Sequence, residues 1–255
     1  MSIPKKIHYC WFGNGEKPES VKKCINSWKE KLPDYEIYEW NENNIDFKSN
    51  SYAREAYENK KWAFVTDYVR LLVLVKFGGF YFDTDVEVLR PFDDLLQYNA
   101  IVGFEEERYI MTAVLGAKAN HPVFLEWLRQ YDNMHFILDN NELNTTTNVK
   151  VFSDILYKHG LIPNGSRQCL SNIEVFPCDY FSPKNYYTEK ICITSNSYTI
   201  HHFSKSWCKK ESIIKRFLRM HPRVQYIILT PNRVGRKLLG SKYDILKRRL
   251  KNEIY

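Results

Sequence analysis

Gly78-Gly79-Phe80-Tyr81-Phe82-Asp83-Thr84-Asp85 is the stretch on which the reading of this chain turns. An apolar segment, Trp62 to Phe77, stops at two glycines, restarts as three aromatics and ends in two carboxylates one residue apart. Trp62 to Phe77 has the length and content of a helix, with Lys76 in its last turn and Gly78 where helices most often end. Phe80 to Phe82 reads as a strand leaving that helix. Side chains alternate along a strand, so Asp83 and Asp85 share a face at its C-terminal edge if the strand persists. Two like charges that close repel unless something positive sits between them. A divalent cation with oxygen ligands is the usual answer, and such an ion suits a phosphate-bearing ligand. The stretch is therefore a candidate metal–diphosphate site.

Upstream, Ile3 to Trp11 reads as a first strand and Phe12-Gly13-Asn14-Gly15 as the loop after it. Glu19 to Glu30 places Val21, Cys24, Ile25 and Trp28 on one helical face. Pro33-Asp34 turns into a second strand, Tyr35 to Trp40. A strand–helix–strand opening predicts an α/β fold with parallel strands and a ligand at their C-terminal edge. Downstream, short strands are expected at Ala100 to Phe104, Ala113 to Ala117, Ile173 to Phe176 and Ser197 to Ile200. A helix is expected from Pro122 to Tyr131, and a polar loop from Asp139 to Lys150. Asp67 and Arg70 are three apart on the Trp62–Phe77 helix and share a side of it.

With 255 residues the chain has room for one large α/β domain or two small ones. Six cysteines without a CxxC pair give neither a zinc ribbon nor a disulfide framework, and read as reduced thiols of a cytosolic protein. Met1 to Lys6 carries no apolar leader, and no stretch reaches the ~18 apolar residues of a spanning helix, so a soluble or peripheral protein is expected. Charge is unevenly divided. Lys205 to Tyr255 holds 15 Lys+Arg against three acids, while the rest of the chain holds 22 basic and 27 acidic side chains. The whole net charge of +7 thus belongs to a C-terminal segment with expected basic amphipathic helices at Ile213 to Met220 and Lys237 to Leu250.

Three segments converge in type: Asp83/Asp85, Asp67 with Arg70, and His201-His202-Phe203-Ser204-Lys205-Ser206-Trp207. The order Ala63-x-x-Thr66-Asp67-x-x-Arg70, Gly78-Gly79-x-Tyr81-x-Asp83-x-Asp85, His201-His202-x-x-x-Ser206-Trp207 resembles the DXD-type glycosyltransferases of family 32. These include bacterial capsule and exopolysaccharide transferases and eukaryotic Golgi mannosyl- and galactosyltransferases. The opening Ile3-Pro4-Lys5-Lys6-Ile7-His8-x-x-Trp11-Phe12-Gly13 and the pair Trp40-Asn41 resemble that family too. The likeness is dense over residues 3 to about 92 and local over 197 to 207; the middle, 100 to 195, matches loosely.

The resemblance implies a GT-A-like, Rossmann-like mixed sheet flanked by helices, with a basic helical C-terminal appendage. Residues 1–207 would form the catalytic domain and 208–255 the appendage. It implies a retaining, Mn²⁺- or Mg²⁺-dependent transfer of a hexose from a nucleotide-diphosphate sugar, UDP-galactose or UDP-glucose before GDP-mannose. The acceptor would be a lipid-linked saccharide in polysaccharide synthesis. Asp85 would ligate the metal. Asp83 would reach it through water or hold the ribose. Asp67 and Arg70 would hold donor-sugar hydroxyls. His201 or His202 would complete the metal shell or bind a phosphate oxygen; neighbours on a strand face opposite ways, so one of the two serves, and the resemblance favours His201, the one that some family members keep. Ser206 and Trp207 would close over the diphosphate, and Trp11 would stack near the base. The basic tail would dock on an anionic membrane surface, placing the enzyme on the inner face of a bacterial cell membrane.

Each residue has a plainer alternative: a capped turn for Asp83/Asp85, a surface ion pair for Asp67–Arg70, satisfied structural histidines and a core Trp11. Glu105-Glu106-Glu107 is within reach of an acceptor in principle but reads first as a solvated acidic loop. Two other functions compete. A haloacid-dehalogenase-like phosphotransferase also carries Asp-x-Asp after an apolar strand, but Glu87 stands where that class wants Thr or Val. A non-catalytic nucleic-acid-binding protein would use the basic tail and leave the Asp/Arg/His pattern unexplained.

Overall fold

In a computed structural model of the chain, residues 3–204 are described. Strand β1 (Lys6–Cys10) leads to helix α1 (Glu19–Lys31) and strand β2 (Glu36–Trp40). Helices α2 (Ser51–Glu58) and α3 (Trp62–Phe77) follow, then strands β3 (Gly79–Phe82) and β4 (Val86–Val88). Strands β5 (Ala100–Glu106), β6 (Tyr109–Ile110) and β7 (Val114–Ala117) precede helices α4 (Pro122–Arg129) and α5 (Asn148–Lys158). Strands β8 (Gln168–Leu170) and β9 (Ile173–Phe176), helix α6 (Cys178–Phe181) and strand β10 (Thr199–His201) complete the described part. The chain divides into two units, Met1–Lys184 with Ile191–Trp207, and Asn185–Lys190 with Cys208–Tyr255. Of the second unit only 185–190 is described, a turn in which the Asn185 side chain accepts from the Tyr187 and Thr188 backbone. The expected domain boundary after Trp207 and the expected basic helices lie outside the described residues.

The sheet runs β2-β1-β3-β7-β5-β9-β8, with β6 beside β5. β1 is parallel to β2 and β3, and β5 to β9, whereas β7 enters antiparallel between β3 and β5. The sheet is therefore mixed, as expected, although the opening alone predicted only its parallel half. Along β3, Tyr81 packs into one core with α2 to α5, while Phe80 and Phe82 pack into the other with α1 and α6. Three aromatics in alternation thus seal both faces of one strand at full burial, the expected result of period-two side chains on a central strand.

The two glycines make the helix-to-strand corner. Gly78 and Gly79 have φ of 64° and 102°, and a Cβ would sit 2.7 Å from the Ala119 nitrogen or the Lys6 oxygen respectively. Only glycine fits both the left-handed backbone and the space. His8 locks the corner: it shares a short 2.8 Å bond between Nε2 and the Gly78 carbonyl and accepts from Trp40 Nε1 at 3.1 Å. That pairing requires the proton on Nε2, and burial pushes the His8 pKa down to about 4, with Lys6 adding to the shift and the Gly78 bond opposing it.

Several elements differ from the sequence reading. The first strand starts at Lys6 rather than Ile3, because Ile3 bonds Leu96 instead of the sheet. The polar loop ends three residues early: Thr147 caps α5 through a side-chain bond to the Lys150 N–H, so Asn148 to Lys150 are already helical. Helix α2 had no periodic signal long enough to read; Asn50 caps it and Tyr52, Ala53 and Ala56 anchor it.

Candidate active site

Strand β3 does not persist through the carboxylates. It ends at Phe82, and Asp83-Thr84-Asp85 forms a turn closed by Val86 N–H to the Asp83 carbonyl at 3.0 Å. The shared-face argument from strand alternation is thereby corrected: a turn, not a pleat, brings the two together. The chain turns because β4 leaves the main sheet to pair with β10. Helix α1 holds β4 on its other side, with Trp28 Nε1 donating to the Val86 carbonyl at 2.7 Å and Ser27 Oγ accepting from Val88 N–H at 2.9 Å. These bonds, with the β4–β10 pairing, fix the turn in place.

β10 delivers His201 to this turn. Its Nε2 lies 3.3 Å from Asp85 Oδ1, and Asp83, Asp85 and His201 offer ligand atoms all within 4.8 Å of one another. Asp85 Oδ2 accepts the Ser204 N–H at 2.7 Å. Burial acts to raise the Asp85 carboxyl, but the charge and hydrogen bond of His201, with the Ser204 bonds, win and hold it well below the usual carboxylate range. Burial alone would lower His201, yet Asp85 first, then Asp83 and Glu105, raise it. A cluster with two carboxylates and one imidazole fits a divalent cation in donor type and spacing. His202 faces away, its Nε2 2.8 Å from Glu87 Oε2. Adjacent residues on a strand diverge, and only the first enters the cluster.

Asp67 and Arg70 are not a surface pair. They are 9% and 5% exposed, and Arg70 Nη2 donates to Asp67 Oδ1 at 2.9 Å. Arg70 Nη1 donates to the Thr112 carbonyl at 2.7 Å and lies 3.4 Å from Asp83 Oδ1, which also accepts the Tyr81 hydroxyl at 2.8 Å. Arg70 thus bridges the helix carboxylate to the turn carboxylate, its guanidinium stacked 4.7 Å from the Tyr81 ring centroid. Burial pushes Asp67 up to about 7 against the pull of Arg70.

Trp11 is half-buried at the end of β1; its Nε1 donates to the Gly15 carbonyl at 2.6 Å, and the Lys17 ammonium lies 5.7 Å from its ring centre. It does not join the carboxylate cluster. Ser206 and Trp207 lie outside the described residues. Glu105 corrects the acidic-loop expectation. It is on β5 and half-buried; burial raises its carboxyl, His201 opposes the shift, and Glu106 and Asp83 add to it, so it lies within the field of the cluster. Asn148, which donates to Asp67 Oδ1 at 2.8 Å, was not read from the sequence. Its partner is 81 positions away, and nothing local marks it.

Fold and site together define an α/β protein with a carboxylate–histidine cluster just beyond the C-terminal end of β3, whose donor set fits a divalent cation. Residues 18–102, which contain Asp83-Thr84-Asp85, match the family described as glycosyltransferase sugar-binding region containing DXD motif. Curated relatives include inositol phosphoceramide mannosyltransferase 3 of Schizosaccharomyces pombe, 32% identical over 53% of this chain and 39% of that protein. Mannosyl phosphorylinositol ceramide synthase SUR1 of Saccharomyces cerevisiae is 30% identical over 53% of this chain and 37% of that protein. The chain thus aligns with well under half the length of these relatives. Among solved structures, the PaToxG glycosyltransferase covers 62% of this chain and 69% of its own at 22% identity, TM-score 0.48. Galactosyltransferase LgtC, in complex with donor and acceptor sugar analogues, covers 69% and 74% at 14% identity, TM-score 0.39. These structural likenesses are too remote to speak to function. The observed architecture is the mixed α/β sheet flanked by helices that was expected.

Proposed function

We propose that the protein is a metal-dependent glycosyltransferase that moves a hexose from a nucleotide-diphosphate sugar to a lipid-linked acceptor. The observation that carries this is the convergence of Asp83, Asp85 and His201 within 4.8 Å, next to a buried Asp67–Arg70 pair, inside a region matching the DXD-containing sugar-binding family. Asp85 and His201 would hold the ion directly, with Asp83 sharing the ion or the ribose. A divalent ion there would neutralise charge on the departing nucleoside diphosphate. The imidazole in the donor set favours Mn²⁺ over Mg²⁺, since Mg²⁺ prefers oxygen ligands alone.

Arg70 holds Asp83 and Asp67 at once, so the diphosphate end and the sugar end of the donor would be positioned by one rigid guanidinium. Such fixed polar groups lower the barrier by orienting the donor before the bond breaks. The names of the yeast relatives support a mannosyl donor beside the UDP-galactose and UDP-glucose read from the sequence. They also support a lipid-borne acceptor, since inositol phosphoceramide is a lipid. Retention by front-face departure and attack, and work at the inner membrane face, complete the reading. A covalent sugar trapped on a carboxylate in a slow variant would overturn the front-face route. The direct test is release of nucleoside diphosphate from UDP-galactose, UDP-glucose and GDP-mannose, with and without Mn²⁺. Release that needs the metal is expected; no release from any donor, with no binding of any nucleotide, would refute the function.

A further inference from the structure

Asp67 is held from two sides, and one side comes from a segment that no motif marks. Asn148, the first residue of α5, directs Nδ2 at Asp67 Oδ1 at 2.8 Å. That bond needs the amide turned one way only, because the other face would set Asn148 Oδ1 against a carboxylate. Tyr131 selects the correct face: its hydroxyl donates to Asn148 Oδ1 at 3.0 Å. Asn148 and Tyr131 are 5% and 3% exposed, so this chain of hydrogen bonds runs through the interior and is shielded from water. Arg70 Nη2 occupies the same Asp67 oxygen at 2.9 Å. Oδ1 is therefore taken twice. Among the described residues no hydrogen bond reaches Oδ2, and the Asp67 side chain keeps 13% of its surface open to solvent.

We propose that Asn148, oriented by Tyr131, is a positioning residue for donor-sugar recognition: it pins Asp67 Oδ1 so that Oδ2 faces a sugar hydroxyl. The inference rests on the sugar-transfer reading above. A neutral amide suits the task better than a second cation would. It fixes the carboxylate without cancelling the charge that must accept from the hydroxyl. Asp83 is organised in the same way, with Oδ1 taken by Tyr81 and approached by Arg70. The two carboxylates are thus anchored through one oxygen each, with Arg70 common to both.

The test uses the full chain, its best donor and two readouts: kcat/KM for the nucleotide sugar, and calorimetric affinity for the matching nucleoside diphosphate with Mn²⁺. Asn148→Asp keeps the shape and removes the donor, setting a carboxyl against Asp67. It should lose about 10- to 100-fold in kcat/KM, the scale of an ångström's misplacement at a reacting site, while nucleoside diphosphate affinity stays at the wild-type value. Tyr131→Phe keeps the ring and frees the amide to turn, and should lose in the same direction by less. A packing role for Asn148 would tolerate the isostere. Wild-type kcat/KM in both variants, or equal loss of nucleoside diphosphate affinity, overturns the inference and leaves sugar transfer standing. If Asn148→Asp does not fold, Tyr131→Phe decides on the same readouts. A wild type that turns over no donor overturns sugar transfer and this inference with it.

Discussion

Asp85 carries the most at the residue scale. It meets His201 on one oxygen and the Ser204 N–H on the other, and it stays ionised because these partners outweigh its burial. Asp85→Ala should abolish Mn²⁺-dependent turnover and leave the circular dichroism spectrum unchanged; an active variant would refute the assignment. Arg70 is the opposite kind of residue, since its loss reaches the fold. Arg70→Gln would leave Asp67 and Asp83 without their shared counter-charge, and removing one partner of a buried pair costs about 3–5 kcal/mol. Urea unfolding should show that loss, and a midpoint equal to wild type would mean the pair is dispensable. The residues of the candidate site were legible in the sequence because carboxylate spacing and residue type are local. Asn148 was not, and Glu105 was read only within an acidic run, since the meaning of each depends on which distant side chain it faces.

At the scale of elements, the helix–glycine–strand corner sets where the carboxylates emerge. Gly79→Ala must strain a φ of 102° and meet the Lys6 oxygen at 2.7 Å, and should destabilise by more than about 2 kcal/mol in chemical denaturation. His8 ties this corner to β1 and β2 in its neutral form, accepting from Trp40 and bonding the Gly78 carbonyl. Its folded pKa of about 4 lies below the 6.5 of a free imidazole, so the unfolded chain takes up the proton first as pH falls. Stability should therefore drop between about pH 6.5 and 4, by on the order of 3 kcal/mol, and not change further from this group below that range. His8→Gln should flatten that slope; an unchanged slope would assign it to other groups. Helix α3 and strand β3 could be read from periodicity and punctuation alone. Helix α2 could not, because eight residues with three buried positions fall short of a clear repeat.

For the whole molecule, charge is the feature that sequence states without a fold. Fifteen basic side chains against three acids after residue 204, on a body carrying 22 against 27, make a polarised protein. Among the described residues no helix is long and apolar enough to cross a membrane. The proposed contact with the membrane rests on this charge and is electrostatic, about 1 kcal/mol for each basic residue near anionic lipid. The full chain should sediment with vesicles rich in phosphatidylserine at low salt and be released by raised salt, with little binding to phosphatidylcholine alone. Equal binding to both lipids would contradict an electrostatic contact.

By itself the sequence determined the opening strand–helix–strand order, the corner at Gly78-Gly79 and the residue types of the candidate metal and donor site, because backbone geometry and charge repulsion act over a few residues. Tertiary structure alone decided that β7 enters antiparallel, that the aspartates sit on a turn rather than a strand, and that Asp67 is buried under Asn148 and Tyr131; it also sets His201, the preferred one of the two histidines, beside the aspartates. These depend on pairings across many tens of residues. There the choice among partners is made by burying apolar faces and satisfying interior polar groups together, which no local stretch of sequence specifies.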